Sequence, residues 1–164
     1  MKKLFAVLGL IAVISVVSSA QTAASFLAQL RAMPAASFEY EMTGSNSEGK
    51  VVFRQKGTAL VQDSCYTLKA SNMEIRSNGR DMWIYNPKDE EIVIQKSDVL
   101  PILNATMLSK RSNGHKVLSY TAEDGTFFAI EILSLTELKI KNPKSHFEFD
   151  VESLSDDVIV TDIR

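Results

Sequence analysis

Cysteine is almost missing from this chain. Cys65 is the only one in 164 residues, so an intramolecular disulfide is excluded, and with it the disulfide-stapled class of small exported domains. Histidine is nearly as scarce. His115 and His146 are the only two, and neither stands in an HxxxH or HExxH spacing, so no zinc site can be read. No GxSxG elbow and no glycine-rich phosphate loop is present, which removes the hydrolases and nucleotide binders that announce themselves by motif. A basic excess is absent as well: 18 Lys and Arg stand against 20 Asp and Glu, for a formal net charge of −2. Nucleic acid would require a basic face and is not expected as a partner. After residue 20 no apolar run reaches the roughly 20 residues that span a bilayer as a helix.

With these absences no nucleophile, base and orienting group can be assembled into a mechanism. The chain reads as a non-enzyme that needs no cofactor and no metal. Cys65 reads as a small buried strand residue rather than a reactive thiol. His115 falls in a turn after Asn113-Gly114, and His146 is expected to open a strand. Asp89-Glu90-Glu91 and Asp156-Asp157 read as solvated turns.

What is present begins with an export pattern. Lys2 and Lys3 precede an uncharged apolar run from Leu4 to Val17, and Ser18-Ser19-Ala20 supplies the small residues of a cleavage site. Residues 1–20 are therefore expected to be a signal peptide removed after Ala20. Residues 21–164 then form one domain, of a length that suits a single core. The mature N-terminus offers no cysteine for acylation, so the expected product is soluble and works outside the cytoplasm.

Helical spacing of Ala24, Phe26, Leu27 and Leu30 predicts a helix over 23–32, with Thr22 available as its cap and Pro34 to stop it. The period then drops to two. Strands are expected at 38–42, 50–56, 58–62, 65–69, 73–76, 82–85, 92–95, 116–121, 126–133, 137–141, 146–151 and 158–163. Asn78-Gly79 has the composition of a type I′ turn, and Asn113-Gly114 and Asp124-Gly125 add further turn signals. From 98 to 110, Leu100, Leu103, Met107 and Leu108 recur at helical steps and predict one or two short helices. The expected fold is mainly β (α+β): a single twisted, strongly curved antiparallel sheet with a few short helices against one face. A sheet with an apolar face must bury it. The aromatic and Met residues of the strands either form an ordinary core or leave a cavity for flexible apolar ligands.

One segment, Ser77-Asn78-Gly79-Arg80-Asp81-Met82-Trp83-Ile84-Tyr85-Asn86-Pro87, resembles the signature of the LolA family, the periplasmic carriers of outer-membrane lipoproteins. The opening helix, the run from Gly57 to Tyr66 and the closing SHFEFDV and DDVIV stretches are similar to the family in order. Gln62-Asp63 stands where the family shows Arg-Pro, so a lid latched by that arginine is not expected here. The resemblance implies an open antiparallel half-barrel with short helices lidding its concave face, and a monomeric periplasmic chaperone. It would hold the acyl chains of a lipoprotein, or another lipid, while an inner-membrane release complex and an outer-membrane acceptor exchange the cargo. Trp83, Tyr85, Met73, Phe53 and Tyr40 are the expected cavity residues on the sheet, with Leu100, Leu103 and Met107 on the covering helices. A lipid- or lipoprotein-sensing regulatory module on the same fold is the alternative.

Overall fold

The dyad alternation resolves into one sheet. The computed structural model describes residues 21–97 and 107–164; the expected leader at 1–20, and Leu100 and Leu103, lie outside them. A two-residue strand β1 (Gln21–Thr22) leads into helix α1 (Ala24–Ala32). Then come β2 (Ala35–Ser45), β3 (Val51–Gln62), β4 (Cys65–Ala70), β5 (Met73–Ser77), β6 (Asp81–Asn86) and β7 (Glu91–Lys96). Past the undescribed stretch follow β8 (Leu108–Ser112), β9 (His115–Thr121) and β10 (Phe127–Leu138), then a short helix α2 (Pro143–Phe147), a single 3-10 turn Val151–Ser153, and β11 (Ile159–Asp162).

These strands make one eleven-stranded sheet in the order β1-β8-β9-β10-β2-β3-β4-β5-β6-β7-β11. β1 and β11 end that order without pairing to each other, so the sheet curves into a half-barrel and stays open. Neighbours are antiparallel except β11, which runs parallel to β7. The parallel pair follows from the path of the chain: residues 139–158 cross the outer face of the sheet from the end of β10 to the far side of β7, and a parallel pair requires such a crossover.

Alternation sorts the side chains. On the concave face Phe38, Tyr40, Ala59, Tyr66, Leu68, Ile75, Met82, Leu118, Ile130 and Ile132 form one core, which Phe26 and Leu30 of α1 complete. On the outer face Trp83, Ile92 and Ile94 form a second, smaller core with Tyr85, closed by Phe149, Val151, Leu154 and Val158 of the crossing segment. β6 and β7 thus carry apolar side chains on both faces, and Met82-Trp83-Ile84-Tyr85 and Ile92-Val93-Ile94 are continuous apolar runs rather than alternating ones.

Several expectations change. The segment at 107–110 is not helical: Met107 sits in a bend and β8 starts at Leu108, paired to Ser119 of β9. Residues 146–151 are not a strand. Phe147, Phe149 and Val151 alternate, but Pro143 starts a helical turn with its missing N–H where no donor is needed, and the apolar residues dock onto the sheet from outside. The runs at 50–56 and 58–62 are one strand through Gly57, and 127–133 continues to Leu138 as one strand with a bulge between Ile132 and Ser134, while 139–141 of the expected strand 137–141 are not strand. Ala23, not Thr22, is the N-cap residue of α1 and gives it no side-chain cap, Thr22 being part of β1. The turn with two positive φ values is Asn113-Gly114, not Asn78-Gly79. At the latter, only Gly79 has positive φ, and the Asn78 side chain accepts the N–H of Arg80 and Asp81 at 3.0 and 2.8 Å.

Candidate ligand-binding groove

The concave face is longer than the helix that covers it. α1 has nine residues, about 13 Å of helix. β2 has eleven residues and β3 and β10 twelve each, about 36–40 Å of extended chain. α1 packs Phe26 edge-on against Phe38, ring centroids 5.9 Å apart, and Lys116 Nζ lies 5.2 Å from the Phe26 ring. The same face continues past this contact with no helix of the described residues over it.

The part that α1 does not cover has two connected pieces. The first is an aromatic shelf. Tyr120 of β9 stacks on Phe128 of β10 at 5.1 Å. Gly44 of β2 is aligned with both Phe128 and Phe53 of β3. A Cβ at Gly44 would lie 3.2 Å from Phe128 Cε1 and 3.4 Å from Phe53 Cβ, so the glycine makes room for the Phe128 ring over β2. Phe53 is 39% exposed and Tyr120 37%. The second piece is a groove of about 300 Å³ lined by Gln55, Asn72, Met73, Ile84, Asn86, Glu91 and Val93. Met73, Ile84 and Val93 form an apolar floor on β5, β6 and β7. Gln55 joins it to the shelf, two residues from Phe53 on the same face of β3. Gln55 Nε2 donates to Asn72 Oδ1 at 3.2 Å, and Asn86 and Glu91 are aligned across β6 and β7 at the rim. The volume is at the lower end of what small-molecule sites occupy.

Of the residues the sequence singled out, Tyr40, Met73, Phe53 and Met107 belong to this concave side. Tyr40 and Met107 are buried in its core, and burial pushes the Tyr40 phenol above its ordinary pKa. Met73 lines the groove and Phe53 the shelf. Trp83 and Tyr85 do not join them. Arg76 and Trp83 are aligned, as are Trp83 and Ile94, which places Trp83 on the outer face beneath Phe149, Val151 and Leu154. Leu100 and Leu103 fall outside the described residues. The sequence reading passed over Ile84, Val93, Phe128 and Tyr120. A signal for the first two was there: an apolar residue between Trp83 and Tyr85, and another between Ile92 and Ile94, imply a covered layer on both sides of those strands.

The outer face carries a polar counterpart. A space of about 200 Å³ lies between the sheet and α2, with Ser37, Thr58, Thr67, Lys69, Arg76 and His146 among its walls. Its groups are already engaged in holding the crossing segment. Arg76 donates to the carbonyls of Ser145 at 3.3 Å and Glu148 at 2.8 Å, pairs with Glu74 at 2.8 Å, and lies 4.2 Å from the centre of the Phe149 ring. Thr67 Oγ1 donates to the His146 carbonyl. His146 is therefore in α2, and His115 opens β9, where its Nδ1 meets Glu131 Oε1 at 2.6 Å as an exposed cross-strand pair. Among the described residues no three His, Cys, Asp or Glu are grouped so as to hold a metal ion, and no described helix is long and apolar enough to cross a membrane.

No protein-family model matches the chain, and no curated protein matches it by sequence. Solved structures do resemble it. An uncharacterized conserved protein from Thermus thermophilus superposes with a TM-score of 0.50 at 10% identity, over 86% of this chain and 99% of that one. A DUF1329 family protein from Desulfovibrio piger superposes with a TM-score of 0.45 at 11% identity, over 76% of this chain and 94% of the other. The first likeness establishes a shared fold and nothing more.

Proposed function

We propose that this protein is a non-enzymatic carrier, exported to the periplasm, that shields acyl chains of lipoproteins or other lipids on the concave face of its half-barrel. The observation that carries the reading is the mismatch between sheet and helix. Among the described residues the apolar face runs on past α1 into an aromatic shelf and a Met73–Ile84–Val93 groove. The resemblance of 77–87 to the LolA family supports the same reading, as does the export pattern of 1–20.

The energetics suit a carrier that must let go. Ten methylenes in an open groove, each about half shielded, contribute about 4 kcal/mol, which is millimolar binding. Complete cover would double that and bring it to about micromolar. Affinity on this scale needs no polar contact and changes steeply with how much of the chain is covered.

The test is binding of the neutral, polarity-sensitive probe N-phenyl-1-naphthylamine. Its emission should rise on adding the protein and fall again as dodecyl maltoside displaces it. Ile84→Asp should weaken both by tenfold or more with an unchanged circular dichroism spectrum, whereas Val160→Asp, at the outer edge, should not. Absence of enhancement with folded wild-type protein would overturn the reading.

A further inference from the structure

The rim of the groove has a sign. Its floor is apolar, but its polar side chains are Gln55, Asn72, Asn86 and Glu91, and no Lys, Arg or His lines it. Glu91 is half-buried and forms no ion pair among the described residues. Its alignment with Asn86 holds it at the mouth. The adjoining turn adds Asp89 and Glu90 against a single Lys88, and the Asn86 amide donates to Asp89, which fixes that carboxylate beside the same rim. Two other carboxylates of this sheet meet cations: Glu41 meets Arg54 and Lys56 at 3.6 and 3.4 Å, and Glu74 meets Lys69 and Arg76 at 3.2 and 2.8 Å. At the groove mouth no cation of the described residues meets Glu91 in this way.

Resting on the reading of the groove as an acyl-chain site, we infer that it selects the head group as well as the chain. It takes a chain whose polar end carries N–H donors, an amide or an ammonium, and rejects one that ends in a carboxylate. A chain lying on Met73, Ile84 and Val93 brings its first polar atoms to Glu91 and Asn86. There an N–H can donate to the Glu91 carboxylate or to an amide oxygen, a charge-assisted contact in the first case. A terminal carboxylate would meet Glu91 with like charge in a half-buried setting where water screens little, and without a cation to offset it. Free fatty acid is thereby excluded from a site whose apolar floor would otherwise accept it. Glu91 is a specificity-determining residue in this account, and the chain-binding floor is independent of it.

The experiment compares three probes of equal chain length below their micellar concentrations: dodecylammonium, dodecyl maltoside and dodecanoate. Each is titrated calorimetrically into the mature protein at pH 7.5 and low salt. Dodecylammonium should bind at least tenfold more tightly than dodecanoate, with dodecyl maltoside between them. The ratio should shrink as salt is raised. In Glu91→Gln the ratio should fall to within about twofold, with dodecylammonium and dodecanoate both still bound. Equal binding of all three probes, tightest binding of dodecanoate, or a ratio that survives Glu91→Gln would overturn the head-group inference and leave the carrier reading standing. Binding of none of the three would remove both.

Discussion

Phe149→Ala separates the two faces of the sheet. Phe149 belongs to the segment that crosses the outer face, and its ring meets Tyr85 edge-on at 5.6 Å and the Arg76 guanidinium at 4.2 Å. It is half-buried. Truncation forfeits about 1 kcal/mol of partial burial, about 1 kcal/mol of aromatic pairing and about 0.5–1 kcal/mol of cation–π attraction. The expected loss is about 2–3 kcal/mol. With a urea slope of about 2 kcal/mol per molar, typical of a small domain, the midpoint should drop by about 1–1.5 M. Trp83 reports the same change locally. It is the only tryptophan of the chain, is 7% exposed, and packs in the cluster that Phe149 closes, so its native emission should shift to the red. Probe binding in the concave groove should stay within twofold of wild type, because Ile84 and Val93 of its floor face away from that layer. An unmoved Trp83 spectrum with an unmoved midpoint would refute the outer core as described. A parallel loss of probe binding would refute the separation of the faces.

Other predictions follow from single residues. Gly57→Ala should destabilise the protein by about 1–3 kcal/mol, because a Cβ there would lie 2.5 Å from the Lys69 carbonyl oxygen and 2.6 Å from Tyr40 Oη; a urea midpoint equal to wild type would show that β3 yields at no cost. Burial raises the Tyr40 phenol pKa, and burial first, then Asp63, raises that of the Cys65 thiol. Groups with folded pKa values above their unfolded ones contribute stability that is complete below the unfolded values and is lost as pH rises through the folded ones. The urea midpoint should therefore decline above about pH 9, and less steeply in Tyr40→Phe; equal slopes for variant and wild type would contradict this.

Much of the fold was legible because alternation is a local signal. Phe38, Tyr40 and Met42 against Glu39 and Glu41, or Met73 and Ile75 against Glu74 and Arg76, place their side chains by period alone. β8 was not legible: Leu108-Ser109-Lys110-Arg111-Ser112 has no apolar face to alternate, and its strand is held by backbone pairing to β9. Gly57 read as a break because glycine usually is one, yet here its lack of a side chain makes room for Tyr40. The site was harder. Periodicity shows that Trp83 and Ile84 face opposite ways, but not which of those ways is concave, since β6 is apolar on both sides. That assignment depends on where α1 and the segment after β10 come to rest, a matter of contacts distant in sequence. The largest aromatic therefore drew attention to the outer face, while the groove floor was made by the smaller residues beside it.

The central claim is that acyl chains lie on the concave face. The most direct measurement is photocrosslinking with a dodecyl maltoside analogue bearing a diazirine at the end of its chain, with the labelled residues located by tandem mass spectrometry. The account predicts label on Phe53, Met73, Ile84 and Val93, competed by unlabelled dodecyl maltoside. Label concentrated at Trp83, Phe149 or Val151, or label that competitor does not reduce, would contradict it.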